Sequence, residues 1–234
     1  MLIIPTYNER DNIATLVGRI RKAAGKEPIL FVDDNSPDGT ADEIRRIQAT
    51  DADVHLLPRP GKGGYGSACR DGIKKVLAEN LAPYVIQSDA DLSHPPELLP
   101  QMIELLKSND VVIGSRYVAG GGAENWDIRR RALSFGANLY ARTFTGVPVH
   151  DMTAGFVGYR ADVLRKIDLD SIRSEGYAFL MEMKFSLHRQ GTSFREFPII
   201  FHEREAGKSK FSRKILYEGM RFPLRAMGKR LGGK

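Results

Sequence analysis

Two carboxylates two residues apart, Asp89 and Asp91, follow a short apolar run at Tyr84–Ile86. So placed, just past a strand, they can share one divalent cation with the phosphates of a ligand, because hard cations take oxygen ligands. The same pair also suits a plain turn, since Asp is common after strands. A second acidic stretch, Asp33-Asp34-Asn35-Ser36-Pro37-Asp38-Gly39-Thr40, follows the apolar run Ile29–Val32. Asp38-Gly39 fits a turn and Thr40 a helix cap. Asp33 and Asp34 exceed those needs, and a carboxylate there can accept hydrogen bonds from a base or a ribose. No G-x-G-x-x-G precedes the stretch, which argues against a dinucleotide site. Gly61-Lys62-Gly63-Gly64-Tyr65-Gly66 opens a helix, where backbone amides can approach phosphate. It lacks the ending of a P-loop, and a flexible connector is the alternative reading. Arg116, the run Arg129-Arg130-Arg131, Arg204, Lys208 and Lys210 supply guanidinium forks and ammonium groups suited to phosphate. Carboxylates for a cation together with several arginines imply substrates with more than one phosphate group.

These residues need a scaffold that brings them together. Leu2–Pro5, Ile29–Val32, Val54–Leu57, Tyr84–Ile86 and Asp110–Ile113 read as strands. Between them, Asp11–Ala24 has helical spacing at Ile13, Leu16, Val17 and Ile20. Thr40 to Glu43 reads as a capping box opening a helix through Ile47. A helix carrying Ile73, Val76 and Leu77 follows the glycine loop, and Glu97–Lys107 is another. Alternating strand and helix predict an α/β fold, a mostly parallel open sheet with helices on both faces. Ligands in such sheets bind beyond the carboxyl ends of the strands, where the polar residues cluster. The last third predicts a helix at Arg130–Thr145, a strand at Phe156–Tyr159, a helix at Ala178–Arg189 and a strand at Phe194–Phe201. From Phe211 the pattern is a basic amphipathic helix, interrupted or kinked at Pro223.

The chain has 234 residues, 27% charged and 42% hydrophobic. That fits one domain with a sizeable core and excludes disorder throughout. No stretch approaches the roughly 20 apolar residues of a spanning helix, and the start is not that of a secretory signal. A single cysteine, Cys69, makes no internal disulfide, and a reduced, cytoplasmic setting is expected. The net charge of +6 comes from the end of the chain: nine bases lie from Lys208 onward, against one acid, Glu218. The expected organisation is a body of residues 1–210 and a basic tail of residues 211–234. Ile215, Leu216, Met220, Phe222, Leu224 and Met227 alternate with bases in that tail. The pattern fits an interfacial helix on an anionic membrane and equally a helix capping the body.

With those residues in place, the chain resembles the family-two glycosyltransferases of the GT-A fold, whose Rossmann-like sheet matches the pattern above. Within them it resembles the polyprenol-phosphate (dolichol-phosphate) mannose synthases. The resemblance spans Ile3 to about Lys210. Its motifs are PTYNE (Pro5–Glu9), VDDNSPDGT (Val32–Thr40), the glycine loop, DADLSHPPE (Asp89–Glu97), GSRY ending at Tyr117, DMTAGF (Asp151–Phe156), the Glu175-Gly176-Tyr177 turn and REAGKSK (Arg204–Lys210).

The resemblance implies a metal-dependent, inverting transfer of mannose from GDP-mannose to a polyprenyl phosphate. It implies that Pro5, Tyr7, Glu9, Val32 and Asp34 hold the guanosine. Asp89, Ala90 and Asp91 would meet the diphosphate, with Asp89 and Asp91 on Mg²⁺ or Mn²⁺. Relatives often have Gln at the next ligand position; here it is Ser93, short enough that ligation would pass through water. Arg116, Arg130 and Ser134 would bind the acceptor phosphate, Arg116 also meeting the donor. Arg204 and Lys210 would lie in a loop closing over the donor. The implied catalytic set is Asp89, Asp91 and Arg116. Asp151 is either a polar organiser or a buried loop residue bonding backbone amides, and not the base. The implied location is peripheral, on the cytoplasmic face of a membrane, with room for a small membrane subunit as a further partner.

One alternative keeps the reaction type with UDP-glucose or another donor. Another, of a different class, is a nucleic-acid-binding protein using the basic tail; the neutral-to-acidic body and the lack of an RNA-binding aromatic motif argue against it. The histidines show no metal-ligand spacing. Tyr117 and Trp126 suit either packing or the lining of a lipid or sugar path.

Overall fold

The computed structural model describes the backbone of residues 1–202 and 213–232 and the side chains of 1–202 and 217–232. Strands β1 (Leu2–Thr6), β2 (Ile29–Asp33), β3 (Val54–Pro58), β4 (Tyr84–Gln87) and β5 (Val111–Ser115) carry the first half of the chain. A short β6 (Gly122–Ala123), β7 (Val157–Arg160), β8 (Phe194–Pro198) and a short β9 (Ile200–Phe201) follow. Seven strands form one sheet in the order β3-β2-β1-β4-β7-β5-β8, and β6 pairs with β9 apart from it. Every pairing in the large sheet is parallel except those of β7, which runs antiparallel to both β4 and β5. The exits of β1, β2, β4 and β5 therefore share one edge. Because β7 runs the other way, its entry loop, residues 151–156, arrives at that same edge.

The two sides of the sheet are covered by different helices. Leu2 and Ile4 of β1 join a core with α1 (Arg10–Ala24), α2 (Thr40–Gln48) and α4 (Leu99–Leu106). Ile3, on the opposite side as strand alternation requires, joins a core with α3 (Tyr65–Ala78), α5 (Ile128–Thr145), α6 (Ala161–Leu164), α7 (Gly176–His188) and α8 (Arg213–Leu231). Burial on both faces explains why β2, Ile-Leu-Phe-Val-Asp, is continuous rather than alternating. Cys69 lies buried on α3, as a packing residue.

Three local expectations change. The capping box at Thr40 does not form: α2 starts after Gly39, whose φ of +87° lies in the left-handed region, and no side chain caps it. Asp38 instead accepts from the Thr40 amide (3.0 Å) and hydroxyl (2.6 Å), while Glu43 bonds Arg46. The strand expected at Phe194–Phe201 divides at Ile199, because β8 completes the large sheet while β9 turns to pair with β6. The terminal helix is not interrupted at Pro223, and it packs on the body, one of the two placements expected for it. Phe222 and Ala226 are buried in the core, with Phe222 against Phe185 at 6.0 Å.

Candidate active site

At the ends of β1 and β2 the acidic stretch divides into two jobs. Asp33 faces inward, accepting from the Thr6 hydroxyl (2.9 Å), the Ser36 amide (2.9 Å) and the Ser36 hydroxyl (2.6 Å). It is a turn residue. Asp34 faces the glycine loop: it pairs with Arg59 and accepts from the Gly64 amide at 2.8 Å. Arg59 also donates to Asp71 and Ser67. Tyr7 stands beside this loop, with the Lys62 ammonium 3.8 Å from its ring centroid. Glu9 accepts from Asn12 at 2.9 Å, and its amide donates to Thr40. Pro5 and Val32 are register partners in β1 and β2, so the residues expected at the nucleoside lie around one pair of strand exits.

The glycine loop does not present its amides to an open phosphate site. The Glu175 carboxylate occupies the start of α3, accepting from Gly66 (2.8 Å) and Ser67 (3.0 Å). A helix N-terminus attracts an anion, and here the chain supplies its own. Burial pushes the Glu175 carboxyl up despite those bonds. The loop is thereby pinned from both sides, by Asp34 and by Glu175.

At the exit of β4, Asp89 is the more accessible of the two carboxylates. Its amide donates to His94 Nδ1 at 3.0 Å, so the neutral ring carries its proton on Nε2. That ring is buried and stacks on Phe156 at 5.5 Å. Asp91 is buried and accepts from the Ser93 amide (3.2 Å) and hydroxyl (2.6 Å). Ser93 is itself fully buried and spends its proton on Asp91, which makes it a support for that carboxylate rather than an outward-facing ligand. Between them Leu92 adopts φ +64°, a left-handed conformation that costs a branched L-residue roughly 1–2 kcal/mol. Its burial in the core offsets that cost. The residues present suit a divalent cation. Both candidate ligands are hard oxygen donors, and Gly155 keeps the approach narrow but open, since a Cβ there would lie 3.7 Å from Asp89 Oδ1 and 3.2 Å from His94 Cε1. Among the described residues no cluster of three or more His, Cys, Asp or Glu builds a cage. A cation held by these two carboxylates would draw its remaining oxygens from ligand phosphates and water.

The arginine end is assembled from distant segments. Arg116 follows β5, and its amide, Nε and Nη2 all donate to Asp151, at 3.1, 2.8 and 2.7 Å. Nη2 also reaches the Thr153 hydroxyl at 2.8 Å. Burial favours the neutral form of both partners, but their mutual attraction prevails: Asp151 is held below the usual carboxylate range and Arg116 is raised. Asp151 is thus an ionised organiser engaged on its guanidinium. The guanidinium carbon lies 5.5 Å from each of the Tyr117, Trp126 and Phe201 ring centroids.

Two charged residues that the sequence reading passed over fix the Asp151 turn. Glu196 of β8 accepts from the His150 and Asp151 amides at 2.8 and 3.0 Å. Lys184 of α7, fully buried, donates to the carbonyls of Met152 (3.2 Å) and Ala154 (2.9 Å). Burial pushes Lys184 down to about 8 against the attraction of Asp151 and Glu196. A lysine inside the apolar run of α7 was the signal for its role. Arg59, which pairs with Asp34, was also missed; it follows Pro58, and only the strand register sets it opposite the end of β2.

The residues expected at the acceptor phosphate gather around Tyr117 and Trp126, with Arg116 5.5 Å from both ring centroids. Ser134 accepts from the Tyr117 hydroxyl at 2.6 Å. The Arg130 guanidinium lies 4.4 Å from the Trp126 ring centroid, and its amide is capped by Asp127 at 2.8 Å. Arg204, Lys208 and Lys210 lie outside the described residues.

A mostly parallel sheet with one antiparallel strand, and with carboxylates and a guanidinium at its carboxyl edge, is the architecture of the GT-A glycosyltransferases. Solved structures of that fold superpose over nearly the whole chain. Glucosyl-3-phosphoglycerate synthase from Mycobacterium tuberculosis, in complex with Mn²⁺ and uridine-diphosphate-glucose, gives a TM-score of 0.68 at 15% identity, covering 97% of this chain and 78% of that one. Mannosyl-3-phosphoglycerate synthase from Rubrobacter xylanophilus gives 0.68 at 18% identity, covering 99% and 73%. The model of glycosyl transferase family 2 matches residues 1–168, and the chain belongs to that family. It is 44% identical over 220 residues to an undecaprenyl-phosphate mannosyltransferase of Micrococcus luteus, covering 94% of this chain and 90% of the relative. It is 43% identical over 222 residues to a polyprenol monophosphomannose synthase of Mycolicibacterium smegmatis, covering 94% and 83%.

Proposed function

We propose that the chain is an inverting glycosyltransferase that moves mannose from GDP-mannose to a polyprenyl phosphate, giving polyprenyl phosphate β-mannose and GDP. The observation that carries the reading is the opposition of charge across the crevice. Asp89 and Asp91 stand at the exit of β4, and Arg116, locked by Asp151, stands at the exit of β5, with only β7 between. The names of the two relatives supply the sugar and the class of acceptor.

In this reading Pro5, Tyr7, Glu9, Val32 and Asp34 cradle the nucleoside, and Asp89 with Asp91 holds a divalent cation, Mg²⁺ or Mn²⁺. A cation bound there neutralises charge on the departing diphosphate. Arg116, Arg130 and Ser134 hold the acceptor phosphate. A phosphate monoester with a second pKa of about 6 is largely a dianion at neutral pH, so it needs no general base. One of its oxygens attacks the anomeric carbon from the face opposite the leaving group, the bond from that carbon to the GDP oxygen breaks, and the configuration inverts. The raised pKa of Arg116 keeps its charge in place throughout. The protein's work is placement of two anions that repel each other.

A lipid acceptor requires access to a membrane. Among the described residues no helix is long and apolar enough to cross one. Helices α5 and α8 lie side by side, with the Tyr140 hydroxyl on the Met220 carbonyl at 2.9 Å. They expose Ile128, Leu133, Leu139, Met220 and Leu224 among the bases Arg129, Arg142, Arg221 and Arg225. Exposed apolar groups interleaved with cations suit an anionic bilayer surface. The chain is proposed to dock there peripherally, on the cytoplasmic face where nucleotide sugars are made.

The test is transfer of labelled sugar to undecaprenyl phosphate with Mg²⁺ or Mn²⁺, comparing GDP-mannose with UDP-glucose. Lipid-extractable label from GDP-mannose supports the reading. Label from UDP-glucose alone replaces the donor and keeps the mechanism.

A further inference from the structure

A cavity of about 330 Å³ opens beside Arg116, between the loop after β5 and the first turns of α5. Its size falls at the lower end of ligand pockets, about 300–1,000 Å³. Tyr117, Trp126, Ile128 and Phe135 form its walls, and Arg116 and Arg131 its polar boundary. The composition is unusual for a surface hollow. Ile128 is 78% exposed and Phe135 56% exposed. These first turns of α5 contribute nothing to the core; its buried residues are Asn138, Ala141 and Thr145 in the later turns. The early turns are nonetheless firmly placed, by the Asp127 cap and by Arg131 Nη2 on the Ala123 carbonyl at 2.9 Å. An apolar wall is held in place where none of the described residues covers it.

We infer that this cavity receives the phosphate-proximal isoprene units of the acceptor, with Trp126 and Phe135 as specificity-determining walls. The inference rests on the polyprenyl phosphate reading above and deepens it. Charge and shape together select this occupant. The inner end is Arg116, which in that reading holds the phosphate, so whatever enters next to it is the carbon chain esterified to that phosphate. Aromatic faces suit flat, methyl-branched alkenes, and Tyr117 and Phe135 meet edge to face at 6.0 Å to frame the opening. The outer end is continuous with the exposed apolar face of α5, the path by which a chain still anchored in a bilayer would arrive.

The test uses soluble acceptors, so that membrane docking plays no part: geranyl phosphate, and octyl phosphate with the same main chain but no methyl branches. With GDP-mannose as donor, the wild-type enzyme is expected to favour geranyl phosphate by about tenfold in kcat/KM, each buried methyl counting for about 0.8 kcal/mol. Trp126→Ala and Phe135→Ala are each expected to reduce that preference severalfold while the dissociation constant for GDP stays unchanged. Trp126→Phe is expected to keep most of it. Because Phe135 is largely exposed, its variant folds whether or not Trp126→Ala does. A preference that survives in full in Phe135→Ala, wild-type indifference between the two phosphates, or use of undecaprenyl phosphate with neither short acceptor would each overturn the inference. Failure of the wild-type enzyme with every prenyl phosphate, undecaprenyl included, would instead remove the reading on which it rests.

Discussion

Around Asp89 and Asp91 the polar side chains are short, and immediate neighbours in the chain hold them: Ser93 on Asp91, His94 on the Asp89 amide. Around Arg116 they are long, and remote elements hold them: Asp151 from the loop entering β7, Lys184 from α7, Glu196 from β8. The first arrangement resists change because a tight turn fixes it. The second is only as firm as a network of buried charges. In the proposed reaction the difference fits the tasks. A diphosphate bridged by a cation presents a fixed pattern, whereas an acceptor phosphate must arrive from a membrane with its chain attached.

The largest effect should come from the local end. Asp91→Ala is expected to lower metal-dependent kcat by at least about 10²–10³-fold, with the far-ultraviolet circular dichroism of the wild type. Ser93, its neighbour in the same turn, supports it through both amide and hydroxyl. Near-normal turnover over a Mn²⁺ titration would take Asp91 out of the site and erase the contrast.

At the remote end the same kind of change should cost stability as well as activity. Asp151→Asn leaves Arg116 buried beside a neutral partner, and breaking a buried ion pair costs about 3–5 kcal/mol. The sign of its pH dependence follows from the lowered carboxyl. The stabilisation is fully present above the ordinary carboxylate range and is lost as pH falls through the lowered folded value. Urea unfolding of wild type and variant at neutral pH and near pH 3 would show the gap closing in acid. A gap that stays constant would mean that the pair contributes packing, not charge.

Lys184 offers a finer cut through the same network. Its folded value, about 8, lies below the unfolded 10.5, so between those values the unfolded chain binds more protons. Stability therefore rises with pH across that window, by on the order of 3 kcal/mol in all. Below about pH 8 both states are protonated and the full penalty of burying the charge applies. Lys184→Met removes that slope. Equal slopes in the two proteins would show that Asp151 and Glu196 keep the lysine charged throughout.

The contrast also explains which parts could be read in advance. Patterns local in sequence were legible: the apolar runs of β1 to β5, the spacing of α1, the paired carboxylates after β4. Asp34 was legible as a site residue, but not its Arg59 partner, because that contact depends on strand register. The capping box at Thr40 misled because Asp38, a turn residue, competed for the same hydroxyl. The glycine loop looked like a phosphate cradle because nothing nearby in sequence hints that Glu175, over a hundred residues later, fills it. The antiparallel entry of β7, which delivers Asp151 to Arg116, follows from the order of strands in space and leaves no mark on composition.

Arg130 tests where the two ends meet. Of the arginines expected at the acceptor it is the exposed one, lying against the Trp126 ring. Losing it should leave the fold and the Arg116 network untouched, because the α5 cap uses its backbone amide, which any residue supplies. Arg130→Ala is expected to lower kcat/KM for the acceptor by roughly tenfold, the range of one charge-assisted contact at a surface, while the dissociation constant for GDP changes by less than about twofold. Arg130→Lys should recover only part, since an ammonium keeps the charge but neither the fork nor the flat face that lies on the indole. Equal losses for acceptor and nucleotide would assign Arg130 to the diphosphate. The line between the two ends would then run through α5 rather than between β4 and β5.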